Sequence, residues 1–279
     1  MKVISNIYYY LLLAILLTAS AAAFGQEREK SKNYEFCSDN WSNGDKVSAR
    51  DLRETTFAAP GVLNVDAGKN GGISVRGENR SDVLVRACIQ AWGKTQEEAN
   101  SIVRSIRIET GSTVRADSSL TESNWSVSYQ ILVPRSINVD LKAHNGGISI
   151  SSIEGSLKFE TTNGGVALND LAGDVKGRTT NGGVSVKLSG VSWRGSGLDV
   201  ETTNGGVKIS MPQNYAAQVE TGTVNGGFKS NVAALNLPED NENKWNRKKR
   251  ISTSINGGGA PIRVVTTNGG IKIDAASLY

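Results

Sequence analysis

Residues able to do acid–base or metal chemistry are sparse in this chain. It has one histidine, His144, with no Cys or carboxylate cluster beside it in sequence. A lone imidazole cannot build a His-based metal site, and as a general base it needs a partner. The carboxylates that could serve a polysaccharide lyase or hydrolase are Glu160, Asp170, Asp174, Asp199 and Glu201. Glycoside hydrolysis needs paired carboxyls about 5–10 Å apart, and only Glu160 and Glu201 fall at matching positions of a repeat. Arg178 falls between them, an alternation of sign that reads as a solvated face. The glycine turns lack the aspartates of a calcium-binding repeat, and no Gly-Lys-Ser/Thr follows them as a phosphate loop requires. The sequence therefore predicts no catalytic residue, no cofactor-binding residue and no metal ligand.

Two features point to binding or cross-linking instead. Lys244, Trp245, Arg247, Lys248, Lys249 and Arg250 form the densest charge run. They are candidates for contact with an anionic polymer or lipid, Trp245 supplying an interfacial ring. The alternative is a solvated loop balanced by Glu239, Asp240 and Glu242. Cys37 and Cys88 are the only cysteines, and in an oxidising compartment such a pair is expected to form a disulfide. The net charge of +4 is too small to argue for nucleic acid.

The elements that would carry these residues are set by one recurring unit. Asn-Gly-Gly begins at Asn70, Asn145, Asn163, Asn181, Asn204, Asn225, Asn256 and Asn268, usually followed by an aliphatic residue. Four copies extend to Thr-Thr-Asn-Gly-Gly, from Thr161, Thr179, Thr202 and Thr266. From Asn145 the spacings are 18, 18, 23, 21, 31 and 12 residues. A period near 20 marks a repeat architecture. Asn and Gly tolerate positive φ, which suits them to turns. Alternating segments such as Leu157–Thr161 and Val184–Leu188 flank the turns, so one face of each strand is buried.

The fold class expected is all-β: a β-solenoid of stacked strand-turn-strand coils, about 18–23 residues each, with one short helix in the N-terminal part. An antiparallel meander of Asn-Gly hairpins is the alternative. Stacking explains better why the whole turn recurs, since like residues lie above one another and Asn side chains can form a ladder. Asn163, Asn181 and Asn204 are expected to form a buried ladder or to fix the turns. Hydrophobic content of 38% with 31 Gly is thin for a globular core but suits a narrow solenoid. The helix is expected at about 96–106, capped by Thr95 and Glu98, with Ala99, Ile102, Val103 and Ile106 on its apolar face.

The expected organisation is an export signal over 1–25, a leader over 26–60, an N-terminal β region over 61–136 and the repeat array over 137–279, with a basic insertion at 238–251. The signal rests on Lys2, the apolar run Leu11–Leu17 and the small residues Ala19–Gly25; an uncleaved anchor is the other reading. The last strand, Ile271 to Ile273, is expected to leave an open edge through which the protein could self-associate.

An export signal, strands, one helix, a long strand ending in Val133-Pro134, and then repeated Thr-x-Asn-Gly-Gly units form a distinctive order. It resembles the bacterial putative-adhesin family, a β-repeat domain of the cell envelope, over roughly residues 60–275. That family commonly has Asn-Gly-Asp where this chain has Asn-Gly-Gly, so the turns here lack an acidic side chain. The resemblance implies an exported, non-enzymatic binding or scaffold module, periplasmic, cell-surface or secreted. Its partner would be an envelope or matrix glycan or a protein surface. A polysaccharide-active β-helix enzyme, lyase or hydrolase, is the alternative function.

Overall fold

A computed structural model describes residues 36–38, 46–119, 124–235 and 250–276. The chain divides into Met1–Asp45 and Lys46–Tyr279. Of the first unit only residues 36–38 are described; the second holds every strand among the described residues. The strands are β1 Val47–Ala58, β2 Val62–Asp66, β3 Ile73–Glu78, β4 Asp82–Gly93, β5 Ile106–Glu109, β6 Thr113–Ser118 and β7 Trp125–Pro134. Then come β8 Asn138–Asn145, β9 Ile148–Ser151, β10 Glu154–Asn163, β11 Val166–Asn169, β12 Ala172–Asn181, β13 Val184–Lys187, β14 Gly197–Asn204 and β15 Val207–Pro212. Last are β16 Ala217–Asn225, β17 Phe228–Ser230, β18 Arg250–Ile255, β19 Pro261–Asn268 and β20 Ile271–Ala276. Helix α1, Gln96–Ser105, lies between β4 and β5.

These form two ten-stranded sheets. Sheet I runs β1-β4-β7-β3-β9-β11-β13-β15-β20-β17, and sheet II runs β18-β16-β19-β14-β12-β10-β8-β2-β6-β5. Each strand-turn-strand unit gives its first strand to sheet II and its second to sheet I, and successive units pair in parallel. Parallel pairing across the Asn-Gly-Gly units excludes the hairpin meander for this part of the chain. Strand β10 shows the pattern. Leu157, Phe159 and Thr161 are buried while Lys158 and Glu160 are exposed, as period-two side-chain alternation demands. Inward rows such as Leu157, Val175, Leu198 and Ile262 from sheet II join Val166, Val184, Val207 and Ile271 from sheet I in one hydrophobic cluster. Burying each such side chain is worth about 1.5–3 kcal/mol. The Phe159 ring fills the space over Gly177, where an added Cβ would lie 2.3 Å from it.

Near its N-terminal end the stack changes to antiparallel pairing, with β1 on β4 and β4 on β7 in sheet I and β5 on β6 in sheet II. Thr95 caps α1 by accepting from the Glu98 amide at 3.2 Å, and the Glu98 carboxylate accepts from the Lys94 amide at 2.7 Å. Ala99, Ile102 and Val103 are buried. Ile106 is buried too, but as the first residue of β5. Arg53 of β1 donates to the carbonyls of Val103 (3.0 Å) and Ile106, satisfying the helix C-terminus.

Three expectations need correction. Residues 47–58 are not leader but the twelve-residue strand β1, paired along its whole length with β4. Its charged Asp51, Arg53 and Glu54 obscured the strand in sequence, because an edge strand is only half covered. Residues 61–136 and 137–279 are not separate regions, because β2 and β3 pair directly with β8 and β9. The last strand is not an edge. β20 lies between β15 and β17, and β19 between β14 and β16, so the final repeat is inserted into the stack. The chain passes along the far side of β16 as antiparallel β18 and reverses at Asn256-Gly257-Gly258. It then enters the gap as β19. The far edges are β17, three residues long, and β18. Both cysteines, Cys37 and Cys88, are disulfide-bonded.

Candidate functional site

The stacked turns are the most regular feature of the molecule. The Asn side chains form a continuous ladder. Asn145 Nδ2 donates to Asn70 Oδ1 at 3.0 Å. Asn163, Asn181 and Asn204 each donate to the preceding Asn at 2.8 Å. Asn268 continues on Asn204, and Asn225 on Asn268, also at 2.8 Å. From Asn145 onward the ladder is exposed, not buried as expected, because each of these Asn ends its strand at the rim of the sheet; Asn70, an isolated bridge outside the strands, is half-buried. Asn256 stands outside it. It has φ 47° and donates to the Gln213 and Tyr215 carbonyls, holding the reversal before β19.

Inside the Asn ladder runs a second one. The first Thr of each Thr-x-Asn-Gly-Gly is buried: Thr161, Thr179, Thr202, Thr266 and Thr223 are at most 8% exposed. Their Oγ1 atoms donate at 2.8 Å to the carbonyls of Gly146, Gly164, Gly182, Gly205 and Gly269, the first glycine of the adjacent turn. An added Cβ on Gly146, Gly164, Gly182, Gly205, Gly226 or Gly269 would lie 1.9–2.1 Å from the first-glycine carbonyl of a neighbouring turn, and one on Gly71 would lie 1.9 Å from the Val127 carbonyl. Among these turns only Gly71 has a left-handed φ. Glycine is needed here because adjacent turns approach closely, not to reach positive φ.

The candidate acids are dispersed along sheet II. In its outward rows, Asp66, Lys142, Glu160, Arg178 and Glu201 are register neighbours of alternating sign. Arg178 lies 2.7 Å from Glu160. Asp174 pairs with Lys176 at 3.2 Å. Arg263 meets Asp199 at 2.5 Å, Glu220 at 3.6 Å and Glu201 at 3.7 Å. Asp170 holds a corner, accepting from Ser152 and Ser189. Thus each candidate carboxylate is tied to a cation or a hydroxyl. His144 is exposed at the rim beside Asn145. A depression of about 560 Å³ opens over β12, β14, β19 and β16, lined by Asp174, Lys176, Asp199, Gln218, Glu220 and Arg263. Among the described residues no group of three or more His, Cys, Asp or Glu is placed to hold a metal. No helix among them is long and apolar enough to cross a membrane.

Of the basic run, only Arg250 is described. Lys244, Trp245, Arg247, Lys248 and Lys249 lie outside the described residues. Arg250 opens β18 and donates to Glu220. That hydrogen bond holds the Glu220 carboxyl below the usual carboxylate range, with burial opposing and the charges of Arg250 and Arg263 assisting. Burial pushes the Tyr215 phenol up to about 12, consistent with its place in the core.

The fold is thus a parallel two-sheet repeat stack carrying polar ladders along its turns. The chain belongs to the Toastrack DUF4097 family, whose model matches residues 63–274. Among solved structures it is similar to a "putative cell adhesion protein" from Clostridium sporogenes, at 12% identity and a TM-score of 0.45, covering 81% of this chain and 100% of that one. It is also similar to a "putative adhesin" from Bacteroides fragilis, at 11% identity and a TM-score of 0.32, covering 81% and 97%. A third is a "putative lipid binding protein" from Parabacteroides distasonis, at 9% identity and a TM-score of 0.33, covering 80% and 96%. No curated protein matches the chain.

Proposed function

We propose that this protein is an exported, non-catalytic module of the bacterial cell envelope. In this reading it is a β-solenoid whose outer faces hold an extended partner, an envelope or matrix glycan or a protein surface. The observation that carries the reading is the registered outer face. Short polar and charged side chains recur in rows across successive coils, and the carboxylates on them are neutralised locally. Such a surface offers many weak sites in line, and summed contacts give affinity to a long partner that no single contact supplies. A hydrolase or lyase would instead gather perturbed titratable groups in one cleft. The disulfide supports an oxidising compartment, and residues 1–25 supply the export signal in this reading.

The test is a panel of anionic and neutral polysaccharides, measuring both retention of the protein and release of new reducing or unsaturated ends. Retention without release is expected. Turnover abolished by Glu160→Gln or Glu201→Gln would replace this reading with the enzyme. Retention on no polymer would favour a protein partner or a purely structural role.

A further inference from the structure

The residue two places after the Gly-Gly of each stacked turn points outward from sheet I. Along the stack this row reads Ser74, Ser149, Ala167, Ser185, Lys208, Lys272 and Lys229. The first four are small. The last three are exposed lysines in direct register on neighbouring parallel strands, about 4.8 Å apart. Exposed Lys187 occupies the next outward position of β13, one coil before them. Among the described residues one carboxylate is paired with the group, Asp274, 2.9 Å from Lys272. Like charges opposed on neighbouring strands repel. On sheet II the row Asp66, Lys142, Glu160, Arg178 and Glu201 alternates in sign, and the one facing lysine pair of its neighbouring row among the described residues, Lys158 and Lys176, is flanked by Asp140, Asp174 and Asp199. Three lysines in an unbroken run with so little compensation depart from that pattern, and such a local departure marks a functional position.

We propose that the Lys208–Lys272–Lys229 row is a binding site for a linear acidic polysaccharide, running along the stack with its carboxylates on the ammonium groups. This rests on the reading of the protein as a module for extended partners and names the chemistry of one. The cations form a line, not a field, which complements a charged chain. The lane leading to them is lined by Ser and Ala, so a sugar backbone can lie flat on it. A membrane surface would call for apolar side chains beside the charges. The exposed large apolar residues among those described, Val47, Val62, Val191 and Val224, lie off this row.

The experiment compares the full chain with two triple variants of equal charge change. K208S/K229S/K272S installs the residue that Ser74, Ser149 and Ser185 already place in this row, so the fold is kept. K142S/K158S/K176S removes the same charge from sheet II. Binding is measured to polygalacturonate, to neutral dextran and to phosphatidylglycerol vesicles, at low and high salt. The unsubstituted protein should bind polygalacturonate, less well as salt shortens the screening length. The first variant should lose about a hundredfold in affinity, on the scale of three lysines near an anionic surface. The second should keep its affinity. Equal losses in both variants, no loss in the first, or binding to vesicles alone would overturn the lysine site. Retention on dextran alone would overturn it and leave the extended-partner reading standing. Retention on no polymer would overturn both.

Discussion

Replacing Gly182 by Ala tests whether close stacking of turns holds this fold together. The new Cβ would lie 2.0 Å from the Gly164 carbonyl oxygen and 2.4 Å from its carbon, both backbone atoms. Real Cβ contacts stay beyond 3.0 Å, so the turns must part by about 1 Å. Three hydrogen bonds bridge that gap. They are Gly164 N to Asn181 O at 3.0 Å, Thr179 Oγ1 to Gly164 O at 2.8 Å, and Asn181 Nδ2 to Asn163 Oδ1 at 2.8 Å. Each is worth about 0.5–1.5 kcal/mol net, and overpacking alone costs about 1–3 kcal/mol. With partial relaxation the loss should be about 3 kcal/mol. For a unit of this size that lowers Tm by about 6–12 °C. Gly227→Ala is the matched control, since its added Cβ meets nothing within 4 Å. At an unstrained φ, alanine there should be neutral or stabilise by up to about 1 kcal/mol through the unfolded chain. Thermal unfolding followed by circular dichroism reads both. If Gly182→Ala melts within about 2 °C of the unsubstituted protein, the stacking argument is wrong and these glycines serve only turn flexibility.

The two ladders should separate by burial. Thr179→Val leaves the half-buried Gly164 carbonyl without the buried hydroxyl that serves it and should cost about 1–3 kcal/mol. Asn181→Ala, in an exposed ladder where water can replace the lost bonds, should cost about 1 kcal/mol or less; urea unfolding that ranks the pair the other way contradicts the assignment. Denatured, unreduced protein should show no titratable thiol, and thiols should appear only after reduction. Because the Glu220 carboxyl is held below its unfolded value by Arg250, its stabilisation is complete at neutral pH. It is lost as pH falls below the unfolded value and through the folded one. Glu220→Gln should therefore flatten the acid limb of the stability curve, and an unchanged limb would show that the pairing of β18 with β16 does not depend on this ion pair.

Much of the stack was legible in the chain. The Asn-Gly-Gly period, the alternating strands beside it and the Thr95–Glu98 cap are local signals, and local signals survive in sequence. The placement of Arg178 between Glu160 and Glu201 was legible too, since a fixed period fixes register. What was hidden depended on depth and order. The first Thr of each motif is polar, and nothing local says that its hydroxyl turns inward to a glycine carbonyl of the next coil. The glycines read as turn formers because sequence does not reveal how near the neighbouring turn lies. The inserted final repeat could not be ordered, because Thr202–Gly206 and Thr266–Gly270 are chemically the same and either could stack on the other's neighbours. The lysine row did leave a signal. Val-Lys-Ile, Phe-Lys-Ser and Ile-Lys-Ile follow the glycines at Lys208, Lys229 and Lys272 where earlier repeats have Ser or Ala.

In the proposed function, binding resides in the repeated face and not in a pocket. The direct measurement is affinity against length for the polymer the protein retains, with chain ends counted in the same samples. Affinity should rise steadily as oligomers grow long enough to span successive coils, and the number of chain ends should stay constant. A short oligomer binding as tightly as the polymer, or new ends accumulating with time, would contradict the account.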